Sequence, residues 1–487
     1  MDSARHPGTA PTELLEALPP ALVDWMPRQR WYAAKGSTIS ALQILTATPV
    51  PAPATTHLRV LHLVVRVEVE DGQRVDHQVP VVVRSAPGTG TAPEDDALIL
   101  ELDSSEGTVR IEDAVRSDEG RAALFGLLTS GKDIADPAGT IGTVVFDPHP
   151  VPGRATGTIV TSRLLTGEQS NSSMIFERAE AAPVILKLFR VSADGENPDV
   201  VLQGSLDRAG CTRVAPLIGH VRGSYTTPSA APVHADLLFA QEFLPEVEDA
   251  WRVALRDATV GTDFTAGARA LGEATAEVHR TMAQVLPTLE PDAGPVAAMV
   301  TQMLDRLRES AGQVPDLAAR EADLAAIIRR AAQVQWPALQ RIHGDYHLGQ
   351  VLSSPTRGWI LLDFEGEPLR PLAQRVRPDC PVRDVAGMLR SLDYVGGAVR
   401  QETGTDVSDW VADARGAFLA GYTRAAGIDP QDLSFRILLA AFEADKAAYE
   451  VRYEISNRPD WVGIPLGALD RITEAGQEGQ DSRGAAV

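Results

Sequence analysis

A chain of 487 residues, 44% hydrophobic and 23% charged, has enough apolar material for more than one core, and two or three domains are expected. Its 66 acidic and 45 basic residues give a formal charge of -21, which argues against nucleic acid or an anionic membrane as partner. Two cysteines without a CxxC spacing indicate neither a disulfide framework nor a zinc site and fit a reducing cytoplasm; the acidic, proline-bearing N-terminus is unlike a secretory signal, and no stretch approaches the roughly 20 apolar residues of a membrane span.

In chain order, residues 1–10 and 474–487 are small and polar and are expected to fray. Residues 11–36 carry a short helix followed by "RQRWYAAKG". From 41 to 84 apolar residues alternate in strand fashion, with Asp71-Gly72 as a hairpin turn. A loop at 86–96, a strand pair and a helix near 117–130 follow, so residues 1–155 read as a β-rich N-terminal unit. A second β segment covers 155–191, with strands on either side of the polar turn "GEQSNSS" (167–173) and an ending in "VILKLFR", which holds Lys187. "HADLLFAQEFLPEVEDAWR" reads as a buried strand leaving into a connecting loop.

Beyond about residue 250 the pattern turns helical. Leu271, Thr275, Val278 and Met282 recur at helical spacing within 263–286, with Asp263 as a cap, and further helices are expected at 295–311, 317–333, 382–394, 408–425 and 432–457. The fold class is α+β, a small β lobe followed by a larger helical one, and the cleft between such lobes is a usual ligand site.

Two stretches carry the chemistry. "HGDYHLGQVL" (343–352) crowds His343, Asp345, His347 and Gln350 into one loop, and "WILLDFEGEP" (359–368) is a short apolar strand delivering Asp363, Glu365 and Glu367. A catalytic aspartate, an amide side chain five residues on and a second aspartate after a hairpin strand suit phosphoryl transfer. Asp345 accepts a hydroxyl proton, while Gln350 and Asp363 offer the hard oxygen ligands that Mg2+ prefers. The order matches the protein-kinase-like pairing of a catalytic loop with an aspartate-led metal motif, with glutamine in place of asparagine. Two other readings stand beside it: core histidines with Asp345 capping a turn, and zinc held by His343, Asp345, His347 and Asp363. Lys187 sits in an apolar run, where an unpaired ammonium is costly, and a role against nucleotide phosphates removes the difficulty. The turn before it offers Ser170, Asn171 and Ser172 to those phosphates, although it lacks a G-x-G-x-x-G pattern and alone is only a polar hairpin turn.

These motifs, with "MPRQRWYAAKG", "GEQSNSSMIF", "LKLFR" and "NPD", "RDVAGMLRSLDY" and "YEVRYEISNRPDWVGIPL", resemble the maltokinase-like group of actinobacterial sugar kinases, within the aminoglycoside-phosphotransferase and eukaryotic-kinase-like superfamily. The resemblance implies an N-terminal β-rich cap (1–155), a kinase-like N-lobe (156–250), a helical C-lobe (251–475) and a flexible tail (476–487), with ATP as co-substrate between the lobes. It implies that Asp345 is the catalytic base, that Gln350 and Asp363 bind Mg2+, that Lys187 contacts the phosphates, and that the chain near Gln241 and Phe243 is the hinge against adenine. The sugar is then placed near His343, Asp345, Glu365, Glu367, Glu450, Glu454 and Trp461.

Read physically, Glu443, Lys446, Glu450 and Glu454 share one helix face and form either a sugar-binding stripe or a salt-bridged exposed surface. Val201 stands where the group often has glutamate, which removes the usual partner of the lysine from that position. The group holds maltokinases and glucosamine kinases. An acidic pocket of Glu365, Glu367, Glu450, Glu454 and Asp460 suits a cationic amino sugar, so glucosamine is the expected substrate and maltose the alternative. An aminoglycoside phosphotransferase and an inactive kinase-like binding module are further alternatives; small-molecule sugar and ATP are the expected partners of a monomer.

Overall fold

The computed structural model describes residues 12–52, 58–85, 96–104, 107–130, 142–165, 167, 170–229, 231–367 and 370–484. Residues 86–95 of the expected loop at 86–96, Glu168 and Gln169 of the polar turn, and the extreme ends at 1–11 and 485–487 lie outside the described residues. The chain divides into two compact units: Met1–Val200 with Pro216–Leu244, and Val201–Ala215 with Pro245–Val487.

In the first unit, helix α1 (Thr12–Trp25) precedes an antiparallel sheet of β1 (Ile39–Val50), β2 (Leu58–Val69), β3 (Arg74–Ser85), β4 (Leu98–Ser104) and β5 (Gly107–Asp113), in the order β1-β2-β3-β5-β4. Strand alternation divides β2 between two cores. Leu61, Leu63, Val65 and Val67 pack with Leu18, Leu22, Trp25 and Trp31 on one face, while Val60 and Val64 turn into a second cluster. The β2–β3 turn is the expected one. Gly72 has φ +84°, open to glycine without a Cβ penalty, and Asp71 Oδ1 accepts the Gln73 amide at 2.8 Å.

Helix α2 (Asp118–Thr129), capped by Ser117 on the Gly120 amide, adds Leu124, Phe125 and Leu128 to the second cluster. That cluster also holds Met174, Phe176, Leu186 and Leu188 from a six-stranded antiparallel sheet. The sheet comprises β6 (Val145–Pro150), β7 (Ile159–Leu164), β8 (Asn171–Arg178), β9 (Ala181–Phe189), β10 (Leu217–Thr226) and β11 (Pro232–Glu242), in the order β6-β10-β11-β9-β8-β7. β6 falls within the stretch expected to be cap, yet it pairs with β10 in this sheet.

Helix α3 (Pro198–Arg208) spans the boundary between the units. The second unit opens on β12 (Glu248–Asp249) and α4 (Ala250–Val260), where the sequence suggested a connecting loop. Asp249 caps α4 by accepting the Trp251 amide at 2.8 Å, and Ala250, Ala254 and Ala258 form its buried stripe. An alanine stripe gives a weak apolar signal.

Then come α5 (Thr265–Val285), α6 (Ala293–Ala311), the one-turn α7 (Pro315–Ala318) and α8 (Glu321–Ala331). Asp263 accepts the first helical amide of α5, at Thr265, and Leu271, Thr275, Val278 and Met282 are all buried as their spacing requires. A short hairpin, β13 (Val351–Ser354) and β14 (Gly358–Leu361), pairs with β12. The rest is helical: one-turn α9 (Leu372–Arg375), α10 (Val382–Thr403), α11 (Ser408–Ala426), α12 (Leu433–Asn457) and α13 (Gly463–Gly484). Helix α13 thus runs through the stretch expected to fray as far as Gly484. Ala468 and Leu469 are fully buried early in α13, and a helix nucleated by such packing propagates at little cost.

Candidate active site

The loop 343–350 belongs wholly to the second unit. Asp384, two residues into α10, holds it: its Oδ2 accepts the His343 amide at 2.8 Å and its Oδ1 the Gly344 amide at 2.9 Å. His279 Nε2 lies 3.0 Å from the same carboxylate. Burial raises the Asp384 pKa, but the His279 hydrogen bond and the His279 and His343 charges outweigh it and leave the carboxyl below its ordinary value. Gly344 has φ +84°, and a Cβ there would meet Gly366 Cα at 3.3 Å, so the loop turns where only glycine fits easily.

Asp345 projects from that turn with its side chain a quarter exposed, and Lys446 of α12 places its Nζ 3.6 Å from Asp345 Oδ1. The same ammonium donates to Glu367 Oε1 at 2.9 Å. Burial lowers the Lys446 pKa, yet Glu367, Asp345 and Glu450 more than compensate and hold it protonated above its usual range. Burial raises the Glu367 pKa, and Lys446 and Arg370 bring it down to about 2. Lys446 is the site residue that sequence reasoning missed, having placed it only as one member of a charged stripe.

Hairpin register brings the two expected metal ligands together. Val351 pairs with Leu361, the Leu362 amide donates to the Gln350 carbonyl at 3.0 Å, and Gln350 Nε2 donates to Asp363 Oδ2 at 3.1 Å. Asp363 itself sits at φ +61°, an uncommon conformation for a side-chain-bearing residue and a frequent mark of a functional position. Glu365 lies two residues on, and its carbonyl accepts from Arg375 Nη1 at 2.9 Å.

Several expected assignments are corrected. His343 is 2% exposed, its Nε2 is 2.8 Å from the Leu362 carbonyl and its ring lies against Phe364 and Tyr346, so it shapes the loop from within instead of meeting a sugar. His347 Nδ1 accepts the Gly349 amide at 3.1 Å, and burial lowers its pKa. Among the described residues, no three of His343, Asp345, His347 and Asp363 bring their ligand atoms within 4.8 Å of one another, so the zinc reading has no assembled ligand set.

Glu450 and Glu454 are also committed. Glu450 accepts from Arg390 at 2.8 Å; Glu454 accepts from Tyr394 Oη at 2.9 Å and from Arg458 at 2.6 Å. Trp461 stacks on Tyr394 with centroids 6.2 Å apart, and the Arg458 guanidinium covers its ring at 4.8 Å. Asp460 lines a cavity shared with Arg400, Arg415 and Arg471. The stripe is therefore neither exposed nor an open acidic pocket, because carboxylates buried this deeply require cationic partners.

The first unit holds Lys187 on β9. Its Nζ donates to Asp199 Oδ2 at 2.9 Å, and Asp199 is 1% exposed at the start of α3. This acid, two residues before Val201, supplies the partner whose absence the sequence suggested; the "NPD" motif was its only signal. In register, Ser172 pairs with Leu188 and Ser173 with Lys187. Ser172 Oγ is turned inward, accepting from Arg190 Nε at 2.8 Å, so it is withdrawn from the expected phosphate contacts. Ser170 is exposed and Asn171, half-buried, opens β8. Gln241 pairs with Ile185 and Leu217, while the Phe243 amide is taken by the Pro183 carbonyl at 2.8 Å and so is not a free hinge donor.

A β-sheet unit with a lysine–acid pair, and a helical unit with an aspartate loop and an amide–aspartate pair, define a kinase-like phosphotransferase. Residues 25–116 match the maltokinase N-terminal cap domain, and residues 248–436 match the phosphotransferase enzyme family. The chain is 30% identical to the glucosamine kinase of Streptacidiphilus jiangxiensis over 328 residues, 63% of this chain and 72% of that protein. It is 27% identical to the glucosamine kinase of Mycolicibacterium smegmatis over 252 residues, 48% and 62% of the two chains. Among solved structures, a glucosamine kinase in complex with glucosamine, ADP and inorganic phosphate superposes with a TM-score of 0.64 at 24% identity, covering 95% of this chain and 98% of that one. The chain belongs to the same family as these kinases, the phosphotransferases that carry a maltokinase-type cap, and it shares their fold.

Proposed function

We propose that this chain is an ATP- and Mg2+-dependent sugar kinase that converts glucosamine to glucosamine 6-phosphate. The observation that carries the reaction class is the geometry around Asp345: a partly exposed carboxylate beside Lys446, on a loop whose far end brings Gln350 within 3.1 Å of Asp363. Asp345 takes the proton of the attacking sugar hydroxyl as its oxygen bonds to the γ-phosphorus; the bond from that phosphorus to the β-bridging oxygen breaks, and its electron pair leaves with ADP. Lys446, 3.6 Å from Asp345 Oδ1, fixes the direction of that carboxylate. Lys187, oriented by Asp199, meets the phosphates of ATP.

The side-chain oxygens of Gln350 and Asp363 fit Mg2+, with Gln350 turning its carbonyl oxygen inward in place of the present hydrogen bond. Mg2+ bound there would neutralise phosphate charge as the transfer proceeds.

Glucosamine is supported by the two relatives, both glucosamine kinases. Maltose is the second reading, favoured by the match of residues 25–116 to the maltokinase cap. ADP release with Mg2+ and ATP over glucosamine, maltose, glucose, N-acetylglucosamine and kanamycin tests both. Turnover on glucosamine alone is expected; turnover confined to maltose replaces the substrate, and turnover on none of the five removes the reading.

A further inference from the structure

We propose that the helical unit carries a second ligand site, away from the catalytic loop, that takes a neutral saccharide. The site is a cavity of about 650 Å³ among α10, α11 and α13, within the roughly 300–1,000 Å³ usual for small-molecule sites. Its buried polar group, Asp393, lies nine residues beyond Asp384 on α10. That is a rise of about 13 Å from the point where Asp384 holds the catalytic loop.

The two oxygens of Asp393 are in unlike states. Oδ2 is saturated: Arg390 Nη1 donates to it, as do Arg415 Nη1 at 3.1 Å and Arg471 Nη2 at 2.6 Å. Oδ1 is buried and has no partner among the described residues. A buried carboxylate oxygen without a donor is costly, and a ligand hydroxyl in the cavity supplies one. The rim has the opposite lack. Arg400 and Arg471 have side chains 64% and 52% exposed, and each donates through Nη2 alone, to Asp406 and Ser408 in one case and to Asp393 in the other. Their Nε and Nη1 groups are left to donate.

Charge and shape decide between ligand classes. Three arginines (Arg400, Arg415 and Arg471) and three aspartates (Asp393, Asp406 and Asp460) line the space, so no net charge selects an ion. An open acceptor beside several open donors suits hydroxyls, which do both, whereas a phosphate chiefly accepts and an ammonium only donates. Val407, Val411 and Ile464 add an apolar wall for the C–H face of a sugar ring. A Cβ on Gly397 would stand 2.1 Å from Ile464, so close packing explains that glycine. Gly467 has no such reason. A Cβ there meets nothing within 4 Å, although alanine is the better helix former four residues into α13, and the bare backbone keeps the cavity open.

This inference does not depend on the reaction read at Asp345. Calorimetry on the full chain tests it by titrating glucose, maltose, trehalose and sucrose, with glucose 6-phosphate as the charged control, into wild type, Gly467→Leu and Arg471→Met. Gly467→Leu fills the cavity. Arg471→Met removes rim donors at a half-exposed position and decides the matter alone where circular dichroism shows the leucine variant unfolded.

At least one neutral sugar is expected to bind wild type, with its dissociation constant raised at least ~10-fold in Gly467→Leu and about five-fold in Arg471→Met. Unchanged affinity in every folded variant puts the sugar elsewhere and overturns the site. Binding of none of the four sugars, or tighter binding of glucose 6-phosphate than of any of them, overturns it as well.

Discussion

Asp345 and Lys446 are the residues on which turnover should depend most. Asp345→Asn keeps size and hydrogen-bonding shape but cannot accept a proton. The expected outcome is a kcat at least ~100-fold lower with unchanged far-UV circular dichroism and unchanged ATP affinity. Near wild-type ADP release in that variant would take the base role from Asp345. Lys446→Met removes the cation between Asp345 and Glu367, which stand 3.6 and 2.9 Å from its Nζ. Asp345 then loses this cation, while Glu367 keeps Arg370 at 2.6 Å but has its pKa rise from about 2, and kcat should fall roughly 10-fold or more, with the loss growing toward low pH. A flat pH profile matching wild type would show that Lys446 is only a packing residue.

At the scale of elements, the β13–β14 hairpin and the turn at Gly344 set the distances that make those residues a site. Gly344→Ala places a Cβ 3.3 Å from Gly366 Cα at a backbone φ of +84°. The left-handed strain alone costs about 1–2 kcal/mol, and relieving it moves the loop that carries Asp345. A lower urea midpoint together with a reduced kcat is the expected pair of results; full activity would show the loop tolerates the shift.

On β9, the pairing of Lys187 with Asp199 replaces the lysine–glutamate pair that Val201 cannot make. Asp199→Ala should reduce kcat/KM for ATP by at least ~10-fold while leaving KM for the sugar near its original value. Equal losses for both substrates would point instead to a general disturbance of the unit.

At the scale of the whole molecule, the N-terminal sheet buries two histidines whose charged forms it does not accommodate. Burial depresses the pKa of both His62 and His77 to about 4, well below the ordinary 6.5. A folded-state pKa below the unfolded one means the unfolded chain binds more protons. The stabilisation is complete above about pH 6.5 and is lost as pH falls from there toward 4. Each histidine contributes roughly 3 kcal/mol across that window. Urea unfolding at pH 7.5, 6 and 5 should show steadily falling stability, and His62→Gln should flatten the curve; an unchanged slope in that variant would exonerate the residue.

Much of this was legible in the sequence, because it depends on local spacing. Alternation gave the strands of the N-terminal sheet, helical period gave α5, and the order Lys187, Asp345, Gln350, Asp363 pointed to phosphoryl transfer before any coordinate. Contacts between distant segments were not legible. Nothing local distinguishes Asp199 from any helix-start acid, nor Lys446 from its neighbours on α12, and the alanine stripe of α4 carries too little hydrophobic contrast to announce a helix.

The acids Glu450 and Glu454 show the limit best. Their spacing puts them on one face, as read, but whether a carboxylate binds a ligand or an arginine depends on what packs opposite, and Arg390, Arg458 and Tyr394 come from elsewhere or from the next turn. The sequence by itself determined the chemistry on offer, since residue type and order set which atoms can accept protons or ligate a cation. Only the tertiary structure decided which of those atoms are left unspent, because burial forces every other charge to find its partner first.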